Sequence, residues 1–175
     1  MPETRLRSKR PEFSEESPGD MLVSSPSFSN GGPLPIRIAV HGGNYSPAIS
    51  WSDPPKGTAS LAVTFEAVLG PHGEDFTLWI LYNIPAARRS IPEGVSKTAY
   101  PAQVRGAEQA ANDTGELGYD GPAPPRGHPD HRYVFQVYAL NNVLSLAPGA
   151  TRSQFRDAIR GRVLATGTLA GTYRR

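Results

Sequence analysis

His131 and Tyr133 stand two residues apart at the start of HRYVFQVYAL, a run with the alternation of a strand. Residues at that spacing share one face of a strand. An imidazole offers a ring N–H and, once protonated, a positive charge, while a phenol offers a hydroxyl donor. Together the two could hold an oxyanion. Arg132, between them, faces the other way, where a buried role or a structural ion pair is expected. Each residue alone has a plainer explanation, as a satisfied histidine at a strand start or a core tyrosine.

Glu66, His72, Glu74 and Asp75 flank one loop and could supply a base, although a solvated loop and strand edge also account for them. His41, His72, His128 and His131 are spread through loops, so no metal site is expected. The chain contains no Ser-His-Asp arrangement on a nucleophile turn and no phosphate-cradling glycine loop. It has no cysteine, which excludes disulfides and thiolate chemistry. No cofactor is expected.

The elements that must position these groups read as strands. SLAVTFEAVL and FTLWILYNI are apolar, β-branched and bounded by turn signals, as buried central strands are. HRYVFQVYAL is a third, with Tyr133, Phe135, Val137 and Ala139 on one face. MLVSSPSF, IRIAV and AISW are shorter strand candidates. A single helix is expected after Pro148 and Thr151, with Phe155, Ile159 and Val163 on its apolar side. VLATGTLAGTY then returns as a helix end and a strand. Residues 86–131 form a long turn-rich connection, a kind that is usually functional or disordered.

Composition fits one domain. The 18 prolines and 18 glycines in 175 residues imply many turns, and the formal charge of +2 without a basic stripe argues against nucleic acid. Residues 1–20 are polar and lack apolar periodicity, so they read as a disordered tail ahead of a domain over 21–175. No apolar stretch of secretory-signal length follows the basic residues of this segment, and no run is long enough for a membrane span, which makes the cytoplasm the default location.

Four strings in order, GGNYSPAISW, YNIPA, NDTGELGYDGPAPPRGHPDHRYVFQVYAL and LAGTYRR, resemble the bacterial branch of the phosphatidylethanolamine-binding protein family, which also includes Raf kinase inhibitor protein. The resemblance runs from about Met21 to Tyr173. It implies a mainly β fold: a large antiparallel sheet packed on a smaller sheet, with peripheral helices. It also implies a small surface pocket for phosphate-like and carboxylate anions, and it allows a homodimer. In that pocket His131 and Tyr133 would be lining donors, with Tyr119, Trp79 and Pro124 around them. Gly121 would let backbone approach the ligand, and Pro124 and Pro125 would stiffen the loop.

The chain departs from the family pattern at one wall. Where relatives carry Asp-Pro-Asp-Ala-Pro and then His-Trp, this chain has Ala67, Val68, Leu69, Gly70 and Pro71, then Leu78 and Trp79. The acid and the imidazole become Ala67 and Leu78. Losing such charge-assisted contacts weakens phosphate binding by about a few kcal/mol, and the wall of Ala67, Leu69 and Leu78 suits a largely apolar small-molecule ligand. The residues and the resemblance together point to a small-molecule-binding protein. The alternative is an enzyme of a specialised, secondary-metabolite pathway, catalysing a cyclisation, isomerisation or elimination with His131, Tyr133 or Glu66. An interaction protein is a third class, but no kinase-binding surface is marked, and GPAPP reads as pocket rim.

Overall fold

The computed structural model describes residues 19–69 and 75–175. Its nine strands and one α-helix form a mainly β fold. In chain order they are β1 (Gly19–Asp20), β2 (Val23–Ser24), β3 (Ile49–Trp51), β4 (Ser60–Val68), β5 (Phe76–Pro85), β6 (Ser90–Ile91), β7 (Glu108–Gln109), β8 (His131–Leu140), α1 (Arg152–Ile159) and β9 (Val163–Tyr173). A six-stranded sheet runs β1-β9-β8-β4-β5-β7, and a three-stranded sheet runs β2-β3-β6. All pairings are antiparallel except β1 with β9.

Alternation along the central strands divides the core in two. Leu61, Val63, Phe65 and Ala67 of β4 and Tyr133, Phe135 and Val137 of β8 face the small sheet, whose Ile49, Trp51 and Ile91 close over them. The Phe65 and Phe135 rings stack with centroids 4.0 Å apart, and such pairs add about 0.5–1.5 kcal/mol to area burial. Ala62, Ile80, Tyr82 and Tyr138 face the other way, beneath Phe155 and Ile159 of α1. That helix begins at a reciprocal cap: the Thr151 hydroxyl accepts from the Gln154 N–H, and the Gln154 side chain accepts from the Thr151 N–H.

Several expectations are corrected. IRIAV is not a strand: Ile36–Ile38 and Val40–Gly42 are two 3-10 turns. Its alternation has no strand to pair with, and Ile36 is 60% exposed while Ile38 is buried. MLVSSPSF shrinks to Val23–Ser24, and Val163 opens β9 instead of extending the helix. The long connection contains two short strands, β6 and β7. Of the expected tail, residues 1–18 lie outside the described residues, whereas Gly19 and Asp20 pair with Ala165 and Thr166. No described helix is long and apolar enough to cross a membrane.

Gly171 of β9 sits opposite Tyr133, and a Cβ there would lie 2.3 Å from Leu34 Cδ2. Its missing side chain lets Leu34 pack against the sheet beside the tyrosine. Gly171→Ala should lower unfolding free energy by about 1–3 kcal/mol, the usual range for overpacking. Urea denaturation that left the midpoint unchanged would contradict this.

Candidate functional site

Both expected donors stand on the face turned toward the small sheet. Tyr133 lies directly opposite Ala67 across the β4–β8 pair, and His131 lies opposite Tyr173 across β8–β9. Leu78 reaches the same face by a local irregularity. Phe65 pairs with Trp79 but Glu66 pairs with Thr77, so Leu78 is an extra residue on β5. A bulge of this kind re-aims a side chain. Leu78 therefore joins Trp79, Ala67 and Tyr133 in one core, at 7% exposure.

The Tyr133 ring tilts against Phe65 at 5.8 Å, and its hydroxyl has no hydrogen-bond partner among the described residues. Burial pushes its ionisation up to about 12, with Tyr173 adding to the rise. Tyr133 is thus a neutral hydroxyl, free to donate, beside two apolar side chains. His131 is half-buried, and the exposed His128 stacks on it with centroids 5.7 Å apart. His41 comes from the second 3-10 turn, and its Nε2 lies 2.6 Å from the Tyr173 hydroxyl. His41, His128 and His131, which come from separate segments of the chain, are therefore brought to the same end of the β8–β9 pair. Among the described residues no three His, Cys, Asp or Glu side chains are placed to share a metal ion.

The loops behind this rim are locked together. The Tyr119 hydroxyl donates to the Ile38 carbonyl at 2.7 Å, while its ring stacks on Phe65 and meets Trp79 edge-on. Asn44, at a φ of 59°, accepts from the Gly121 N–H at 2.7 Å and donates to Asp120 at 3.0 Å. Asp120 also takes the Thr114 hydroxyl and pairs with Lys97. A Cβ on Gly121 would fall 1.8 Å from the Ile38 carbonyl oxygen.

These contacts change several assignments. Gly121 is a glycine because a neighbouring loop presses on it, and its N–H is already taken by Asn44. Tyr119 and Trp79 are fully buried with occupied donors, Trp79 on Gln109 at 2.7 Å, so they support the wall from behind. Leu69 lies past the end of β4 and is 50% exposed, outside the packed wall. Pro124 is buried within its loop, and Pro125 is exposed. Arg132 does face away from Tyr133, but it is exposed and in no ion pair among the described residues, where a buried role or a structural ion pair is the expectation.

Glu66 is not brought to this site. It lies between Phe65 and Ala67, so its side chain points to the opposite face, taking the Thr77 hydroxyl at 3.2 Å and Arg156 of α1 at 3.4 Å. Burial raises its carboxyl above the ordinary range, and Arg156 opposes that rise. Asp75 directly precedes β5, close enough to act on the Glu66 carboxyl, and its carbonyl accepts from Arg152. His72 and Glu74 lie outside the described residues. Sequence reasoning missed His41, Asn44 and Tyr173 as parts of the site. The GGN and GTY strings pointed to them, but only the fold joins positions so far apart.

Residues 24–174 match the family described as phosphatidylethanolamine-binding protein. A UPF0098 protein of Aquifex aeolicus is 40% identical over 156 residues, which is 89% of each chain. Among solved structures, Escherichia coli YbcL, described as a member of the mammalian PEBP family, superposes with a TM-score of 0.81 at 28% identity, over 90% of this chain and 99% of the other. A phosphatidylethanolamine-binding protein homologue from Chlamydia trachomatis, CT736, gives a TM-score of 0.77 at 34% identity, with the same coverage.

Asn44→Ala leaves the Gly121 N–H without its partner and keeps a side chain at a left-handed backbone position. It should cost about 1–3 kcal/mol in denaturant unfolding, and Asn44→Gly should cost less because it relieves the backbone. Equal losses would mean that the left-handed backbone contributes nothing.

A second test is alkaline. Tyr133 and Tyr82 keep their protons to about 12 in the fold, against an ordinary value of 10. Their contribution is fully present below pH 10, because both states are then neutral, and it is lost between 10 and 12 as only the unfolded chain ionises. Unfolding free energy measured across that window should fall, and Tyr133→Phe should flatten part of the fall.

Proposed function

Since the chain belongs to the phosphatidylethanolamine-binding protein family, we propose that it binds a small, largely apolar molecule at the site bordered by His131 and Tyr133. The supporting observation is the unpaired Tyr133 hydroxyl set directly across from Ala67, with Leu78 turned onto the same face. A dianionic phosphate at this wall would give up water for one hydroxyl, one imidazole and two hydrocarbon groups. Stripping an anion of solvent with so few donors is unfavourable. An apolar body carrying one acceptor, such as a carbonyl or ether oxygen, matches the same surface: Ala67 and Leu78 cover the body, and Tyr133 donates to the acceptor.

His131 gives a second polar contact nearer the rim, where His128 and the His41–Tyr173 pair narrow the approach. Binding, not turnover, is the role proposed. With Glu66 committed to the far face beneath α1, the carboxylate candidate for a general base has no direct route to a molecule held by Tyr133.

Thermal shift tests this reading. Inorganic phosphate or phosphoethanolamine at about 10 mM should raise the melting temperature by less than about 1 °C, since even a matching dissociation constant yields about 0.4 kcal/mol. Apolar carboxylates and neutral apolar ligands should give the larger shifts, and Tyr133→Phe should reduce them. Strong stabilisation by phosphate would overturn the assignment of an apolar ligand. Ala67→Asp, which restores an acid at the wall, should weaken the apolar response.

A further inference from the structure

The YNIPA string contributes to the family resemblance, yet it lies nowhere near His131. It ends β5 at the opposite end of the large sheet, where Pro85 pairs with Ser60. There the chain forms an open groove of about 530 Å³ whose walls include Ile84, Pro85, Glu108, Leu144, Ser145 and Leu146. The groove is built around Asn83. The β4–β5 register shifts between Leu61 and Val63, and Asn83 adopts a φ of 55°, which a non-glycine residue seldom takes. Its amide group then bridges both walls. It donates to Glu108 and to the Leu144 carbonyl, each at 2.9 Å, and accepts from the Leu144 N–H at 2.8 Å.

The charge in this groove is not balanced. Glu108 is half-buried, takes one hydrogen bond from Asn83, and has no cation within ion-pair distance among the described residues. Behind the groove wall, two buried polar atoms find no protein partner among the described residues: the hydroxyl of Tyr82, which pairs with Glu108 in the sheet, and the Oδ1 of Asn142, adjoining Val143. Tyr82 is fully buried, and the Glu108 carboxylate adds to the burial that pushes its ionisation up to about 12. Beside Ser60, Asn83 and Ser145, the walls carry Ile84, Pro85, Val143, Leu144 and Leu146, with Val143 60% exposed. The Glu108 carboxylate lines the groove, only accepts, and has the Asn83 amide as its one donor, so what it lacks is a donor with positive charge. An anion would be repelled, and a purely apolar molecule would bury Glu108 unpaired, which is costly.

We propose that this groove is a second ligand site, distinct from the one at His131 and Tyr133, for a small molecule with a primary ammonium group and a short aliphatic body. The ammonium pairs with Glu108, and the hydrocarbon lies along Leu144, Leu146 and Pro85. Asn83 is a positioning residue. It fixes the Glu108 carboxylate and the Leu144 wall at one separation.

The probe is n-hexylamine, with n-hexanol and hexanoate as matched neutral and anionic controls. At about 10 mM and near-neutral pH, n-hexylamine should raise the melting temperature of the full chain by about 1–2 °C, and the controls should not. Glu108→Gln should abolish the response. Amide chemical shifts should move at Glu108 and Leu144–Leu146 on titration, and stay still around His131 and Tyr133. This mapping decides the matter even if the variant folds poorly. Equal shifts with n-hexanol, a response retained in Glu108→Gln, or perturbation centred on His131 would each overturn the proposal.

Discussion

The carbonyl oxygen of Ile38 is the contact on which the arrangement of the main site depends. It takes the Tyr119 hydroxyl, and it lies so close to Gly121 that no side chain fits there. Tyr119 is anchored by ring packing on Phe65 and Trp79, so one buried phenol ties the sheet to the 3-10 turns and to its own loop. Removing that hydroxyl would leave a buried carbonyl unsatisfied, a cost of about 1–3 kcal/mol. Because the turn holding Ile38 leads directly into the one that carries His41 toward Tyr173, a displaced first turn would open the rim. The rim histidines are thus held by contacts that involve no ligand.

A second constraint is strand alternation, which sorts side chains onto two faces with different chemistry. Ala67 and Glu66 are neighbours in sequence and opposites in space. One meets Tyr133, and the other meets Arg156 of α1. The bulge at Leu78 is the local exception, since it turns two consecutive β5 residues, Leu78 and Trp79, toward the same core. Without it, position 78 would share the helix side with Ile80, and its identity would not affect the site. The apolar character of the wall therefore depends on one extra residue in a strand as much as on residue type.

The strands that carry the site were legible from the sequence because their signals are local and redundant. HRYVFQVYAL is β8 from first residue to last, and the cap at Thr151 follows from the residue types alone. The 3-10 turns were not legible, because IRIAV alternates like a strand and only the lack of a partner strand decides otherwise. Nor was the His41–Tyr173 contact, which joins residues 132 positions apart. Gly121 shows a subtler failure. The glycine was recognised as sterically required, but the group that crowds it is the chain's own carbonyl, not a ligand. A sequence records that space is short without recording what fills it.

The two ends of the sheet carry different chemistry with little to connect them. Between Ala67 at the tyrosine wall and Ser60 at the Asn83 groove, β4 runs seven residues, or roughly 23 Å at strand rise. Every β4 residue from Leu61 to Phe65 is buried and paired with β8, and all but Ala62 are also paired with β5. Sites this far apart with no shared partners behave additively to within about 0.5 kcal/mol. Coupling would require a second arrangement of the strands between them, and the stacked Phe65–Phe135 pair and the double-sided pairing of β4 work against one. The same scaffold can therefore hold an apolar wall at one end while keeping a carboxylate uncompensated at the other. Changes at either end leave the packing that supports its counterpart intact.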